Sequence, residues 1–279
     1  MKNKLSRPTA VLLAGGAAAF AAFACSERLN SAVYAVATDK IKAPVRILHI
    51  SDLHSSPFGR DQCELIEVLH RAEPDLILMT GDIADNRIPN DNAYAFAEAA
   101  ARFRPCFYVS GNHEFYAPRP EEIFGRFRAC GVKILAGDAL AVDTAGGPIT
   151  LGGIGDPYGL PDSQNRFWEE QLADVEAVRA AAPERFSILL THRPEPVSAY
   201  AETGFDLILA GHAHGGQIVI PSLVNGLFAP HQGLFPAYAG GRYELRQGQT
   251  MIVSRGLSKH VRPRVFNRPE WGLILLTPS

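Results

Sequence analysis

A handful of polar residues, each closing an apolar run, carry the chemistry of this chain. Asp52 and His54 end the stretch Ile47-Leu48-His49-Ile50-Ser51-Asp52-Leu53-His54. On an extended backbone, residues two apart project to the same side, so a carboxylate and an imidazole would leave the tip of a buried strand together. The pattern recurs: Gly81-Asp82 follows Leu76–Thr80, and Asn112-His113-Glu114 follows Phe107–Gly111. His192 follows Ile188–Thr191, and His212-Ala213-His214 follows Leu207–Gly211. The strand tips thus offer Asp52, His54, Asp82, Asn112, His113, His192, His212 and His214: two carboxylates, one amide oxygen and five imidazoles. Such a set without thiolate suits Mn, Fe or Zn better than Ca or a structural Zn site. It is too large for one tetrahedral ion and matches two ions sharing a carboxylate. Each residue alone has an ordinary explanation, such as a Gly-Asp turn or a satisfied buried histidine; five consecutive strand ends of this kind do not. His49, His70, His231 and His260 lack this context and read as structural or surface residues.

The elements that must position these groups alternate. The run from Val45 reads as a strand, Cys63–Arg71 as a helix, the run after Pro74 as a strand, Ala93–Phe103 as a helix, the run from Cys106 as a strand and Pro120–Ala129 as a helix. Strand–helix alternation predicts a parallel sheet with right-handed crossovers. The chain then changes character, with short strands and Gly-rich turns from Val132 to Gly153, a loop at Asp156–Asn165 and a helix at Phe167–Ala182. Further strands are predicted near Phe186, Phe205, Gln217, Tyr243, Met251 and Leu273. The expected fold class is α/β: a layered αββα sandwich of two mixed sheets flanked by helices. Functional groups in such sheets collect beyond the carboxyl ends of the strands.

Composition narrows the function. At 279 residues and 47% hydrophobic content, the chain can bury a substantial core, and a formal net charge of −2 gives no basic field for nucleic acid. Cys25, Cys63, Cys106 and Cys130 show no CxxC spacing, so neither a zinc finger nor a redox pair is expected. Lys2, Lys4 and Arg7 precede an apolar, Ala-rich run from Thr9 to Cys25. This is the pattern of a signal peptide or membrane anchor, with Ala22-Phe23-Ala24 resembling a cleavage site. Residues 1–25 are therefore set apart, 26–44 read as a connector and 45–279 as the body. Positive charge ahead of the apolar run favours an extracytoplasmic body, at the cell membrane or secreted.

Asp52-Leu53-His54, Gly81-Asp82, Gly111-Asn112-His113-Glu114, His192 and Gly211-His212-Ala213-His214 together resemble the five sequence blocks of the calcineurin-like metallophosphoesterases, over about residues 45 to 277. Gly215-Gly216-Gln217 and Ser254-Arg255-Gly256-Leu257, with Arg264 and Pro269-Glu270, look like a bacterial, membrane-associated phosphodiesterase branch; Ser258 stands where that branch usually has glycine. The resemblance implies the αββα fold and two divalent ions. Asp52, His54 and His214 would hold the first ion, Asn112, His192 and His212 the second, and Asp82 both. It further implies that a metal-bridging hydroxide attacks a phosphate mono- or diester while His113 faces the scissile phosphate, free to protonate the leaving oxygen. Asp85, three residues past Asp82, takes the position of an aspartate that orients the catalytic histidine. Arg255 and Arg264 match branch positions and are expected to bind substrate phosphate. The expected partners are a small-molecule or lipid-linked phosphoester and a membrane surface. Three classes stay open: an envelope phosphoesterase, a pyrophosphatase of the UDP-2,3-diacylglucosamine type, and a non-catalytic metal-binding protein, against which the intact His113 speaks.

Overall fold

The computed structural model describes residues 15–16, 19–159 and 164–279. Most of the basic and apolar leader, and part of the loop expected at Asp156–Asn165, lie outside these residues. None of the described helices is long and apolar enough to cross a membrane.

Two six-stranded sheets face one another. The first contains β1 (Asn30–Thr38), β2 (Val45–Ile50), β3 (Leu76–Thr80), β4 (Cys106–Val109), β5 (Lys133–Ile134) and β14 (Glu270–Pro278), in the order β1-β14-β2-β3-β4-β5. β2 to β5 are mutually parallel, joined by the crossovers that strand–helix alternation predicts. The second sheet contains β6 (Asp138–Val142), β7 (Ile149–Gly153), β8 (Ser187–Leu190), β9 (Leu207–Ala210), β12 (Gly241–Glu244) and β13 (Thr250–Val253), in the order β12-β13-β9-β8-β7-β6. A small hairpin, β10 (Phe228–Ala229) and β11 (Gly233–Leu234), stands apart from both.

Alternation along the strands builds the layers. In β2 and β3, Leu48, Ile50, Ile77 and Met79 face outward onto α1 (Cys63–Ala72), α2 (Asp91–Phe103) and α4 (Pro120–Ala129), through Leu65, Leu69, Phe96 and Phe127. Ile47, Leu76 and Leu78 face inward and meet Leu151, Ile188, Leu190, Leu207 and Leu209 of the second sheet. Leu189, Ile208 and Met251 point to the opposite outer face, where Leu172 and Val175 of α5 (Gln164–Ala180) and Tyr200 of α6 (Val197–Ala201) cover them. Both sheets are thus apolar on both faces, as strands flanked on both sides must be. The expected αββα sandwich is the observed one.

Three local expectations differ from the structure. Residues 26–44 were assigned to a connector, yet Asn30–Thr38 forms β1, paired in parallel with β14 along its whole length. The run Ala32-Val33-Tyr34-Ala35-Val36 has strand character, but its small alanines hide the alternation. Gln217–Ile220 is no strand; Ile218 and Ile220 make only isolated bridges, to Val265 and Val224. Asn112 and His113, expected at a strand tip, instead open a short helix, α3 (Asn112–Tyr116).

Candidate metal centre

The ligand-type residues converge where the two sheets meet at their C-terminal ends. The first sheet contributes Asp52 and His54 after β2, Asp82 after β3 and Asn112 at the start of α3. The second contributes His192 after β8, and His212 and His214 after β9. The backbone at these tips turns sharply. Asp52, His54, Asp82, His212 and His214 all have positive φ, between 46° and 66°. Non-glycine residues in this left-handed region cost roughly 1–2 kcal/mol each and persist only where the surroundings impose them. The strain lies at the ligand positions themselves.

Two groups form around one carboxylate. Asp52, His54, Asp82 and His214 present ligand atoms within 4.8 Å of one another, and so do Asp82, His192 and His212. Asp82 Oδ2 lies 3.5 Å from His54 Nε2 and 3.3 Å from His192 Nε2, so it faces both groups. Asp82 Oδ1 meanwhile accepts the His113 backbone N–H at 2.9 Å. Asp52 Oδ1 is 3.6 Å from His214 Nε2. Asp82 Oδ2, His54 Nε2 and Asn112 Oδ1 are buried and have no hydrogen-bond partner among the described residues. Buried polar atoms are rarely left so. Aimed inward from residues whose other atoms are satisfied, they are the lone pairs that divalent cations would take up. The residues therefore fit a two-ion centre.

The outer atoms of these ligands are held by the protein. His192 Nδ1 donates to the Thr80 carbonyl at 2.8 Å, leaving Nε2 as its lone-pair nitrogen. His54 Nδ1 meets Asp85 Oδ2 at 2.9 Å. Ser51 Oγ donates to Asp52 Oδ2 at 2.6 Å. Glu114, fully buried, accepts backbone N–H groups from Gly111, Asp82 and Ala84 at 2.9, 3.1 and 2.9 Å, clamping the β3 and β4 tips together. Burial and the nearby Asp82 carboxylate push the Glu114 carboxyl up to about 7.

The electrostatics ask for positive charge. Burial works to lower the pKa of His192, but Asp82 and then Asp52 outweigh it and raise it to about 10. Burial likewise opposes ionisation of Asp82, yet His192 and His54 hold it well below the usual carboxylate range. His212 and His214 are driven well below their ordinary value, first by burial and then by neighbouring imidazoles. They remain neutral, the form that binds metal.

His113 stands beside the groups, with its ring edge-on to His54 at 4.4 Å and three-quarters buried. Its Nδ1 lies 2.9 Å from Asn86 Oδ1 and 3.6 Å from Asp85 Oδ2. Asp85 thus sits between two histidines and bonds the closer one, His54, while the direct partner of His113 is Asn86. Sequence reading missed Asn86, which has no motif of its own and is found only by its place four residues after Asp82. It also left His231 on the surface, although His231 Nδ1 reaches His212 Nε2 at 2.9 Å and Glu195 Oε1 lies 3.5 Å from that same nitrogen.

The arginines are engaged elsewhere. Arg264 is buried, and its guanidinium donates to the carbonyls of Asn267, Arg255 and Gly256 at 3.3, 3.0 and 3.2 Å. Arg255 donates to Asn225 Oδ1 at 2.5 Å and to the Asn225 and Gly215 carbonyls. Both brace the loops behind His214 instead of opening a fork to a substrate phosphate, because those loops leave main-chain carbonyls that need donors.

Comparison with known proteins agrees with this geometry. The family model for calcineurin-like phosphoesterases matches residues 45–216. The phosphodiesterase YaeI of Escherichia coli is 30% identical, over 82% of this chain and 80% of its own. An uncharacterized metallophosphoesterase of Aquifex aeolicus is 27% identical, over 85% of this chain and 87% of its own. Among solved structures, GAP50, the anchor in the inner membrane complex of Plasmodium, superposes with a TM-score of 0.52 at 10% identity, covering 85% of this chain and 82% of that one.

Proposed function

The chain belongs to the calcineurin-like phosphoesterase family, a metal-dependent class of phosphoester hydrolases, and from that membership we propose that it is a dinuclear phosphodiesterase of the cell envelope. The observation that carries the two-ion reading is the shared carboxylate: Asp82 Oδ2 faces His54 and His192 at once and has no hydrogen-bond partner among the described residues. Asp52, His54 and His214 would hold one ion, Asn112, His192 and His212 the other, and Asp82 both. Mn, Fe and Zn suit these ligands. Bound there, the pair would neutralise the phosphate charge and lower the pKa of an attacking water.

The chain's own residues do the rest. His113 Nδ1–H donates to Asn86 Oδ1, which fixes the ring and leaves Nε2 as the atom that carries a proton to the leaving oxygen. The Asp85 carboxylate lies 3.6 Å from the same Nδ1. Asp85 also holds His54 in the tautomer whose Nε2 is a ligand. Ser51 keeps the Asp52 carboxylate from rotating, and Glu114 holds the backbone at Asp82. Diester preference rests on the relationship to a phosphodiesterase, and the envelope setting on the basic and apolar leader.

Metal content and hydrolysis of bis-p-nitrophenyl phosphate with Mn²⁺, compared with the monoester and with UDP-2,3-diacylglucosamine, test the proposal. About two ions per chain and preferential diester turnover are expected. Asp82→Asn should abolish turnover and reduce bound metal toward one ion or none. Full activity with unchanged stoichiometry in that variant would sink the two-ion reading, and preference for the nucleotide lipid would replace the diester with a pyrophosphate.

A further inference from the structure

The leader joins the body at a particular end. β14 runs antiparallel to β2, with Gly272 opposite His49, so β14 begins where β2 ends and Asp52 emerges. β1 runs parallel to β14, with Asn30 opposite Glu270. The described residues just ahead of Asn30 therefore meet the molecule at the end that holds the ligand cluster. The helical segment at residues 19–24 lies there, with Phe20 and Phe23 packed edge-on to Phe266 at 5.7 and 6.2 Å and the Ala24 carbonyl accepting the Phe266 N–H at 2.7 Å. Asn267, next in the chain, bonds the His214 carbonyl at 2.7 Å.

This end is apolar where soluble proteins are usually polar. Phe20 and Phe23 are 63% and 72% exposed, and Leu223, Leu234 and Phe235 are 82%, 67% and 67% exposed. Pro221 and Phe23 line one cleft together with Arg28 and Arg268, so the 220–223 turn adjoins the helical segment. Leu234 and Phe235 follow the β10–β11 turn, whose His231 reaches His212, so they too adjoin the cluster. Phe235 has a φ of +55° and its N–H is tied to the Leu227 carbonyl at 2.8 Å, so the backbone itself holds the ring outward. Arg28 and Arg262 are exposed at this end, Arg262 paired with Glu27, and the half-buried Arg268 donates to the Arg28 carbonyl at 3.0 Å. Apolar side chains with a cationic collar form the surface that seats in the headgroup region of an anionic bilayer.

We propose that the end carrying the ligand cluster lies against an anionic lipid bilayer, with Phe20, Phe23, Leu223, Leu234 and Phe235 entering the interface and the arginines meeting lipid phosphates. The leader then does more than tether. It turns the site toward substrates that reside in, or leave from, the membrane surface. The proposal rests on the reading of the cluster as the reactive centre, but its test needs neither metal nor turnover, so the two can fail separately.

Both native tryptophans, Trp168 and Trp271, are buried, so they give a constant background and a tryptophan placed on the surface is read as the difference from wild type. The full chain would be reconstituted into vesicles of phosphatidylethanolamine and phosphatidylglycerol, with and without dibrominated acyl chains. Leu223→Trp and Leu234→Trp should shift to the blue and be quenched by the bromines. Val178→Trp, near the far end of α5, should be neither. Replacing the lipid with phosphatidylcholine should weaken the fraction of the body docked by about tenfold, since each arginine loses its anionic partner. Leu223→Trp and Leu234→Trp left unquenched on a membrane-bound chain would mean a tether alone and overturn the proposal. Equal quenching at Val178→Trp would overturn the orientation. A blue shift without lipid, accompanied by a doubled mass in light scattering, would assign the surface to a second copy of the chain.

Discussion

His113 is separated from the metal ligands by the direction of its side chain. On the first turn of α3, adjacent side chains diverge, so Asn112 turns to the cluster while His113 stands edge-on beside it. His113→Ala should leave bound metal unchanged and lower kcat on alkyl esters by roughly 10²–10⁴-fold. The loss on p-nitrophenyl esters should be clearly smaller, since that leaving group needs no proton; metal content and kcat on the same samples decide it. His49 makes a different prediction. It is buried, bonded to Thr80 Oγ1 at 2.8 Å, and burial lowers its pKa from 6.5 to about 3. Its folded pKa is depressed, so the unfolded chain binds the proton first as pH falls. The stability its neutral form provides is intact above about 6.5 and is lost toward about 3, at up to ~1.4 kcal/mol per pH unit. His49→Gln should remove that slope, so that wild type and variant converge in urea melts as pH drops from 7 to 4. At this scale the sequence was legible wherever a residue type has few other uses. Asp52, His54, Asp82, Asn112, His192, His212 and His214 all converge. Asn86 and Glu195 did not stand out, and Glu114 was quoted in its motif without a role, because an amide or carboxylate beside a turn looks like solvated surface until the fold buries it.

Between β3 and β4 the backbones approach so closely that glycine is required. A Cβ on Gly111 would fall 2.2 Å from Asp82 Oδ1 and 2.6 Å from Asp82 N. The backbone there is ordinary, with φ −104°, so only space forbids a side chain. Gly111→Ala should therefore displace the shared carboxylate. We expect about 1–3 kcal/mol of destabilisation and a fall in kcat on the order of 10²-fold or more, with loss of bound metal measured on the folded protein. Gly125→Ala, in α4 with nothing within 4 Å of the added carbon, should instead stabilise by about 0.5–1 kcal/mol. Strands and helices ahead of Gly131 were legible because their apolar periods are clean and proline or glycine marks their ends. β1 was not, since three of its nine residues are alanines that blur the alternation. The order of strands in each sheet was not legible either: pairing partners are chosen by packing across the whole domain, not by any local pattern.

The ligands come from both halves of the molecule. Asp52, His54, Asp82 and Asn112 hang from the first sheet, and His192, His212 and His214 from the second. Metal would therefore cross-link the sandwich as well as serve the reaction. Bound at about a thousand times Kd it adds roughly 4 kcal/mol, which for a chain of this size is about 8–16 °C in Tm. Chelation should lower Tm by that order and Mn²⁺ should restore it; a Tm indifferent to chelator would mean that the two sheets hold the ligands without help. The sequence allowed an αββα sandwich to be foreseen, but not that β14 is wedged between β1 and β2. That placement has a consequence in time. Asn30 and Glu270, bonded at 3.1 Å, are 240 residues apart, and a ribosome adding roughly 5–20 residues per second needs tens of seconds to cover that distance. Throughout that interval β1 has been made and its neighbour has not. The nascent chain must carry β1 without its neighbour until its last strand arrives, which keeps the first sheet open until synthesis is nearly complete. A premature stop shortly before Glu270 would remove an interior strand, not a fringe, and leave β1 with no place in the sheet.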